Sequence, residues 1–331
     1  MDDASNDKAQ GPAAEAVIIA AAQTGSEAAD EAGGPHGRGI DGHEDAYRRL
    51  LAWFGETTSG LGALLREFPD PVDALNAPDA RLAELPAATQ SRLAAARAAW
   101  PASGAGPPVT PPLRDSRRPV GAADDAFLPI CDGRYPDALR ATPDPPPWLF
   151  CRGDPHCLAG PAVAVVGSRR ASHAGRAAAT AIARYLAGAG YLVCSGLALG
   201  IDAAAHRGAL DGGLTAAVLA SGLDQASPRG NLPLAREIAA RGCIVTELPY
   251  GTPPSRARFP RRNRIISGLC GATVLVEAAL PSGSLHTAAA ALEQGRDIFV
   301  LPWSVYHDNG RGCLRLLRDG ATPITDLDEL P

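Results

Sequence analysis

The amino-acid sequence predicts an α/β protein whose main domain is a doubly wound, mainly parallel sheet, with a small all-helical domain before it. From Ala162 onward, short continuous apolar runs of the kind that form buried strands alternate with stretches of helical period. Right-handed crossovers between such strands place helices on both faces of one sheet. Between residues 44 and 100, apolar side chains recur at helical spacing, which predicts the smaller domain.

The segments before the sheet differ in composition. Residues 1–43 are rich in Ala, Gly, Asp and Glu without a sustained period, which predicts a disordered tail. Residues 44–100 predict a small bundle of short helices, and the proline-rich residues 101–125 predict a linker. The main domain is expected to span residues 126–331, in which a short connecting segment that includes Pro145-Pro146-Pro147 precedes the regular alternation from Ala162.

Two features of the helical region bear on its structure. Asp70-Pro71 has the pattern of a helix start, and the residues before it recur at helical spacing at Leu61, Leu64, Leu65 and Phe68. Gly60-Leu61-Gly62 fits plain packing, which we favour, or a helix–hairpin–helix module that presents backbone N–H groups to phosphates.

The Rossmann-like domain is predicted from its alternating segments. Its expected strands are AVAVVG, YLVCSG, TAAVLA, CIVTEL, ATVLVEA and DIFVLP. Its expected helices lie near 175–189, 202–210, 232–241, 261–269, 284–294 and 312–319.

The charge balance limits how the protein can bind polyanions. The 331 residues have a formal net charge of −5, so bulk charge does not favour nucleic acid. Nearly all of the basic residues are Arg, and a phosphate-binding site must come from local clusters of them.

Cysteine spacing and hydropathy indicate a cytoplasmic protein without a metal site. None of the seven Cys residues forms a CxxC pair, and we expect reduced, mostly buried thiols. Cys151, His156 and Cys157 form one small cluster, but no second ligand pair follows at zinc spacing. No apolar run approaches the ~18 residues of a membrane span, and no signal peptide is evident.

Ligands of doubly wound sheets bind at the carboxyl ends of the strands, so the loops after the predicted strands are candidate sites. Gly167-Ser168-Arg169-Arg170 follows the first strand and precedes a helix, an arrangement that suits a phosphate. It is not a GxGxxG motif, and the second strand ends in Ser195-Gly196 rather than an acid, which counts against a nicotinamide dehydrogenase. No cofactor is therefore expected.

The loop SGLALGID contains two titratable candidates. Asp202 begins a helix, where a carboxylate commonly interacts with the helix dipole. His206 follows one turn later, and we favour a structural hydrogen bond over catalysis for this residue.

An arginine cluster follows the strand CIVTEL. Five Arg fall within residues 256–264, with Phe259 among them. A solvated basic face is the alternative, but the position at the ligand-binding edge favours a site. Arg supplies phosphate contacts, and Phe can stack on an unpaired base at roughly 1–3 kcal/mol.

A fourth loop, at residues 281–288, follows ATVLVEA. Small and hydroxyl residues mark its helix start: Ser282, Gly283, Ser284 and Thr287. Glu277 closes the preceding strand, where an acid acts as a base or, as we favour, orients a neighbouring Arg or Asn.

The order of these motifs resembles the DNA-processing protein A (DprA/Smf) family. The resemblance covers roughly residues 129–326, and FPRRNRIISGL is its most specific segment. More loosely, the helical region is similar to that family's sterile-alpha-motif-like or helix–hairpin–helix-like domain.

The resemblance implies a protein that binds single-stranded DNA, protects it and loads the RecA recombinase, without catalytic residues and usually as a homodimer. The residues it assigns to the DNA pocket are Gly167, Ser168, Arg169, Arg256, Phe259, Arg261, Asn263, Arg264, Ser282, Gly283, Ser284 and Thr287. Phe259 would stack on a base and the arginines would contact phosphates, although part of Asn263-Arg264 alternatively braces the loops.

Three positions depart from the family pattern. Trp303 replaces the usual Gly, Leu314 replaces the usual Asn, and the loop at residues 225–231 lacks the usual Tyr-Pro. We expect the pocket edge, or a partner surface, to differ there.

The main alternative is an enzyme, a nucleoside-monophosphate phosphoribohydrolase of the lysine-decarboxylase-like family. That family resembles PGGxGT followed closely by Glu. Here the loop is PSGSLHTAAAALE, which lacks the double Gly and places Glu293 six residues beyond Thr287.

Overall fold

The computed structural model describes residues 70–98 and 125–331, together with positions 46, 50, 61, 64, 65, 67 and 68. The predicted tail of residues 1–43 lies outside the described residues. So do Gly60, Gly62 and all of the predicted linker except Asp125.

The helical region has short helices at α1 Pro71–Asn76, α2 Asp79–Leu82 and α3 Ala87–Ala98. Asp70 caps α1, because its Oδ1 accepts a hydrogen bond of 2.7 Å from the backbone N–H of Val72, and Pro71 occupies the first turn. Leu61, Leu64, Leu65 and Phe68 are all buried. The predicted helical structure is confirmed at Leu61, Leu64 and Leu65, whereas Phe68 lies outside the helix, and the independence of this region as a domain stays a prediction.

The residues from 125 onward contain one nine-stranded sheet. Its strands are β1 Asp125–Pro129, β2 Trp148–Gly153, β3 Ala162–Val166, β4 Leu192–Ser195, β5 Thr215–Val218, β6 Cys243–Thr246, β7 Ala272–Leu275, β8 Asp297–Val300 and β9 Thr322–Pro323. Over the described residues the order is β1-β2-β6-β5-β4-β3-β7-β8-β9. All neighbours are parallel except the pairs β1–β2 and β2–β6.

Helices alternate with the parallel strands. They are α4 Asp137–Arg140, α5 His173–Gly188, α6 Ile201–Gly212, α7 Leu232–Arg241, α8 Arg258–Gly268, α9 Ser284–Glu293 and α10 Arg311–Arg318. Short 3₁₀ turns occur at Pro155–Ala159, Leu223–Gln225, Arg229–Asn231, Asp308–Gly310 and Leu327–Glu329. None of the described helices is long and apolar enough to cross a membrane.

The two faces of the sheet have separate cores. On β3, Val163 and Val165 pack with buried residues of α5 and α6, whereas Ala164 and Val166 pack with α8, α9 and α10. Because successive strand residues point to opposite faces, a strand buried on both sides is apolar throughout. This explains the continuous apolar runs, and the predicted doubly wound, mainly parallel α/β fold is confirmed.

The prediction of a connecting segment before Ala162 was wrong, since residues 125–153 contain β1 and β2. Phe127 lies opposite Phe150 across these antiparallel strands, with ring centroids 5.3 Å apart. The indole N–H of Trp148 donates to the backbone oxygen of Glu247, 99 residues later in the chain, at 2.9 Å. Long-range pairing of this kind stabilises β2, and local sequence pattern does not report it.

Strand order reverses beside β3. The chain passes from β3 through β4, β5 and β6 on one side and then crosses to β7 on the other side of β3. The loops after β3 and β7 therefore leave the sheet next to each other, and α8 is the crossover helix between β6 and β7. A crevice at such a switch point is the usual ligand site of an open α/β sheet.

Candidate functional site

A cleft of about 460 Å³ lies at this switch point. It is lined by the loops after β3, β4 and β7 and by the N-terminal part of α8. Ten of the twelve predicted site residues line it, namely Gly167, Ser168, Arg169, Arg256, Phe259, Asn263, Ser282, Gly283, Ser284 and Thr287. The structure therefore places three loops that are far apart in sequence around one cavity.

The loop after β3 is held by backbone contacts. The N–H of Ser168 donates to the backbone oxygen of Glu277 at 2.7 Å, and the Ser168 carbonyl accepts from Ile201 at 3.1 Å. Gly200 has φ of +82°, and a side chain there would collide with the Ser168 carbonyl. This close approach fixes the loop and leaves Arg169 exposed at the cleft.

Arg169 and Phe259 form a contact between the β3 loop and the first turn of α8. The guanidinium carbon of Arg169 lies 4.5 Å from the centroid of the Phe259 ring. A cation over an aromatic face is favoured by about 0.5–1 kcal/mol at exposed sites. The ring is half-buried, and one of its faces is covered by a charged group that can also bind phosphate.

The bottom of the cleft contains a buried pair of opposite charges, Asp202 and Arg262. Arg262 donates to the backbone oxygens of Gly196, at 2.8 Å, and of Val218, so it joins the ends of β4 and β5. A Cβ at Gly196 would lie 2.5 Å from Nη2, so only glycine leaves room for this guanidinium. Burial lowers the pKa of Arg262 to about 10, and Asp202 opposes that change.

Asp202 receives support from the backbone. Its Oδ2 accepts a hydrogen bond from the N–H of Ala198 at 3.2 Å, in the loop after β4. Burial raises the pKa of Asp202, while Arg262, the Ala198 N–H and Arg169 oppose the rise. The interaction with the start of α6 predicted for Asp202 therefore takes the form of a loop brace that also lines the cleft.

The start of α9 is joined to α8 by Asn263. Its Nδ2 donates to the Gly283 carbonyl at 3.2 Å, and its Oδ1 accepts from Arg262 Nε at 3.2 Å. The hydroxyls of Ser282 and Ser284 lie 2.8 Å apart. Asn263 is thus both a cleft residue and a brace between the loops, in line with the alternative weighed from the sequence.

Two predicted pocket residues, Arg261 and Arg264, do not line the cleft. Arg264 lies with Glu247, Nη2 to Oε2 at 2.5 Å, and with Asp144, Nε to Oδ2 at 3.3 Å. Successive residues of a helix are rotated by about 100° around its axis. The arginines of this run therefore point in different directions, and only some of them can face the cleft. In the structure Arg264 links α8 to the segments near β6 and β2, which is the bracing role weighed from the sequence, and its contact with DNA stays a prediction.

Glu277 and His206 lie outside the cleft lining. Glu277 is fully buried and accepts hydrogen bonds from Ser172, through N–H at 2.9 Å and the hydroxyl at 2.5 Å, and lies 2.8 Å from His307 Nε2. Its partners are therefore a serine and a histidine rather than the expected Arg or Asn. His206 is buried with Nδ1 2.7 Å from Thr215 Oγ1, as expected of a structural residue.

The cysteines and the departures from the family pattern lie elsewhere. Among the described residues, no group of three or more His, Cys, Asp or Glu side chains could hold a metal ion. Trp303 donates to the Val276 carbonyl at 2.6 Å and stacks on His307, with centroids 4.5 Å apart. Neither Trp303 nor Leu314 lines the cleft.

Several lining residues were not assigned to the site from the sequence: Arg170, Ala198, Asp202, Pro260, Arg262, Ile266, His286 and Asn309. Position after a strand was a usable signal for Arg170, which is adjacent to Arg169. Asn309 belongs to no motif identified in the sequence, and in the structure its Nδ2 donates a hydrogen bond of 2.8 Å to the Arg170 carbonyl at the cleft.

Sequence comparisons give consistent matches. A family model described as DNA recombination-mediator protein A matches residues 126–331. Protein Smf of Escherichia coli is 44% identical over 206 residues, which are 62% of this chain and 55% of that protein. DNA processing protein DprA of Streptococcus pneumoniae is 41% identical over 197 residues, 59% of this chain and 70% of that protein. The match thus spans about half the length of the E. coli relative.

Two solved structures are also similar. DNA processing protein A from Streptococcus pneumoniae matches with a TM-score of 0.69 and 31% identity, over 88% of this chain and 97% of that chain. The protein from Helicobacter pylori, for which a single-stranded DNA binding mode is described, matches with a TM-score of 0.57 and 31% identity, over 62% of this chain and 93% of that chain.

Proposed function

Because this chain belongs to the DNA recombination-mediator protein A (DprA/Smf) family, we propose that it binds single-stranded DNA in the cleft beside β3. The observation that carries the proposal is the Arg169–Phe259 contact, which places a phosphate-binding group and a base-stacking ring at one point of that cleft. A relative from Helicobacter pylori, similar over 62% of this chain, has a described single-stranded DNA binding mode.

The dimensions of the cleft favour a single strand over a duplex. A volume of about 460 Å³ is within the range of pockets for small ligands, so it suits one nucleotide better than a base pair with its two backbones. A base can stack on Phe259 only if it is unpaired. Exposed Arg169, Arg170 and Arg256 are then available for phosphates on either side of that base.

Electrostatics favour the same site. The chain has a net charge of −5, so its attraction for DNA must come from this local cluster of arginines. Binding should therefore be strongly salt-dependent despite the acidic composition.

A binding role fits this cleft better than base hydrolysis. Among the described lining residues, the one carboxylate is Asp202, which already accepts a backbone hydrogen bond. Glu293 is exposed and Glu277 is enclosed by Ser172 and His307, and neither lines the cleft. We therefore propose a protein without catalytic residues, and the phosphoribohydrolase becomes one outcome of the test.

The wider role rests on the family. We propose that the protein acts in the cytoplasm as a homodimer, protects exposed or incoming single strands and loads the RecA recombinase onto them. These partners are proposals because the match spans about half of the E. coli relative.

The testing experiment is fluorescence anisotropy with a labelled oligo-dT strand at two salt concentrations, competed by unlabelled single strand or duplex of equal length. The proposal expects tight, salt-sensitive binding that duplex competes poorly. A recombinase-loading assay would follow. Absence of binding at low salt would overturn the proposal, and release of free base from a nucleoside monophosphate would establish the hydrolase instead.

A further inference from the structure

Asp202 is a negative charge within a cleft that is otherwise suited to phosphate. It is the only carboxylate among the described lining residues, and only 6% of its surface is exposed. The arginines Arg169, Arg170 and Arg256 are exposed, whereas Asp202 lies at the bottom beside Arg262. The exposed part of the cleft is therefore cationic, whereas its buried part holds a carboxyl group beside a guanidinium.

This separation decides which part of a DNA strand can reach Asp202. A phosphate would meet the Asp202 carboxylate there, at a buried position where screening by water is weak. The neighbouring Arg262 guanidinium already donates to the carbonyls of Gly196 and Val218. A carboxylate accepts hydrogen bonds and donates none. Within a DNA strand the sugar and phosphate groups offer no donor, so the remaining partners are the N–H groups of a base.

We propose that Asp202 accepts a hydrogen bond from an N–H group on the edge of the base that occupies the cleft. The inference rests on the proposed function, since it assumes that single-stranded DNA binds there. Phe259 then contacts the face of the base, Asp202 contacts its edge, and the exposed arginines contact the flanking phosphates.

Asp202 also has a structural role, so the variant used in the test must keep the hydrogen bond from the Ala198 N–H. The Ala198 N–H donates to Oδ2, and Asp202→Asn retains one oxygen of the same shape to accept such a bond. The change removes the charge that makes a hydrogen bond from a base strong. A readout that depends on the base, rather than on binding alone, separates the two roles.

The experiment is a double-mutant cycle between the protein and the strand. Wild type and Asp202→Asn are each titrated with oligo-dT and with the same strand carrying N3-methylthymine, which removes the one N–H donor of thymine. We expect methylation to weaken wild-type binding by about tenfold and binding of Asp202→Asn by less than about threefold. Equal losses in both proteins would overturn the inference.

Asp211→Asn is the matched control. Asp211 lies on the same helix as Asp202, is exposed, pairs with Arg184 at 2.6 Å and does not line the cleft. This variant should show the full wild-type methylation penalty, whereas a reduced penalty would show that net charge, and not Asp202, causes the effect.

Two further outcomes are distinct. If wild type fails to bind unmodified oligo-dT, both the proposed function and this inference are overturned. If wild type binds but the cycle shows no coupling, only the inference is overturned. Should Asp202→Asn not fold, Asp202→Ser, whose hydroxyl oxygen can also accept a hydrogen bond, takes its place in the same cycle with oligo-dT and the N3-methylthymine strand. Equal methylation penalties in wild type and this variant would overturn the inference, and a smaller penalty in the variant would support it.

Discussion

At the scale of single residues, Arg169 and Phe259 combine two interactions that respond differently to salt. Arg169 is exposed beside the cleft and covers one face of the Phe259 ring at 4.5 Å. Phosphate contacts release counterions from the strand, whereas stacking between a ring and a base releases few. The two contributions are therefore separable by measuring affinity as a function of salt.

Removing Arg169 or Arg256 should weaken binding to every sequence and flatten the salt dependence by about 0.7 in the logarithmic slope for each contact. Phe259→Ala should weaken binding by roughly 1–3 kcal/mol with little change in slope. Anisotropy titrations over a salt series measure both quantities.

Arg318→Ala is the control for this comparison, because Arg318 is exposed on α10 and does not line the cleft. It should change neither affinity nor slope appreciably. Wild-type binding by the Arg169, Arg256 and Phe259 variants alike would show that the cleft is not the DNA site.

The sequence predicted those site residues that lie in a recognisable motif directly after a predicted strand. Glycines, hydroxyls and arginines after predicted strands indicated eight of the lining residues, because parallel strands all end at one edge, and Phe259 and Asn263 lie in the arginine-rich segment. Arg262 was not assigned, since its role comes from donating hydrogen bonds to the carbonyls of Gly196, just after β4, and Val218, at the end of β5. Such contacts depend on strand order, which sequence pattern alone did not provide.

At the scale of elements, α8 contributes to two different surfaces. Phe259 and Asn263 face the cleft, whereas Arg264 lies against Glu247 and Asp144. The side chains of Arg264 and Glu247 are 14% and 10% exposed, so this ion pair is largely shielded from solvent. Burial raises the pKa of Glu247, and Arg264 opposes the rise.

We therefore expect Arg264→Ala to lower the free energy of unfolding by about 3 kcal/mol, because it leaves the Glu247 carboxylate buried without its partner. Urea unfolding followed by circular dichroism measures the loss. Glu247→Gln in the Arg264→Ala background should recover part of it, since no charge is then buried alone.

The same variant also tests the placement of Arg264. Because Arg264 does not line the cleft, Arg264→Ala should retain the wild-type salt slope for single-stranded DNA under conditions where it is folded. A salt dependence of affinity as flat as that of Arg169→Ala would show instead that Arg264 contacts DNA.

The elements themselves were predictable to different degrees. The helix predicted near 232–241 is Leu232–Arg241, and the strand in AVAVVG is Ala162–Val166. These segments are buried on both faces or are amphipathic, so their pattern is local. β1 and β2 were missed because they depend on antiparallel pairing, of β1 with β2 and of β2 with the distant β6, and because a proline-rich segment lies between them.

At the scale of the whole molecule, buried titratable groups make stability depend on pH in opposing directions. Burial lowers the pKa of His206 from 6.5 to about 3. Between those values the unfolded chain binds a proton that the folded protein does not, so stability falls as pH falls. Asp202 and Glu247 have pKa values raised by burial, so the folded protein takes up their protons first and gains stability as pH falls.

The His206 contribution is isolated by comparing slopes. With these pKa values, His206 lowers the free energy of unfolding by about 2 kcal/mol between pH 7 and pH 5. We expect the free energy of unfolding of His206→Gln to fall by about that much less than that of wild type over the same pH range. Glutamine retains a polar group near Thr215 without a titrating ring. The free energy of unfolding is measured in urea at each pH, with His156→Gln as control because His156 is exposed. Parallel pH profiles for His206→Gln and wild type would contradict the prediction and show that His206 takes up its proton equally readily in the folded and the unfolded protein.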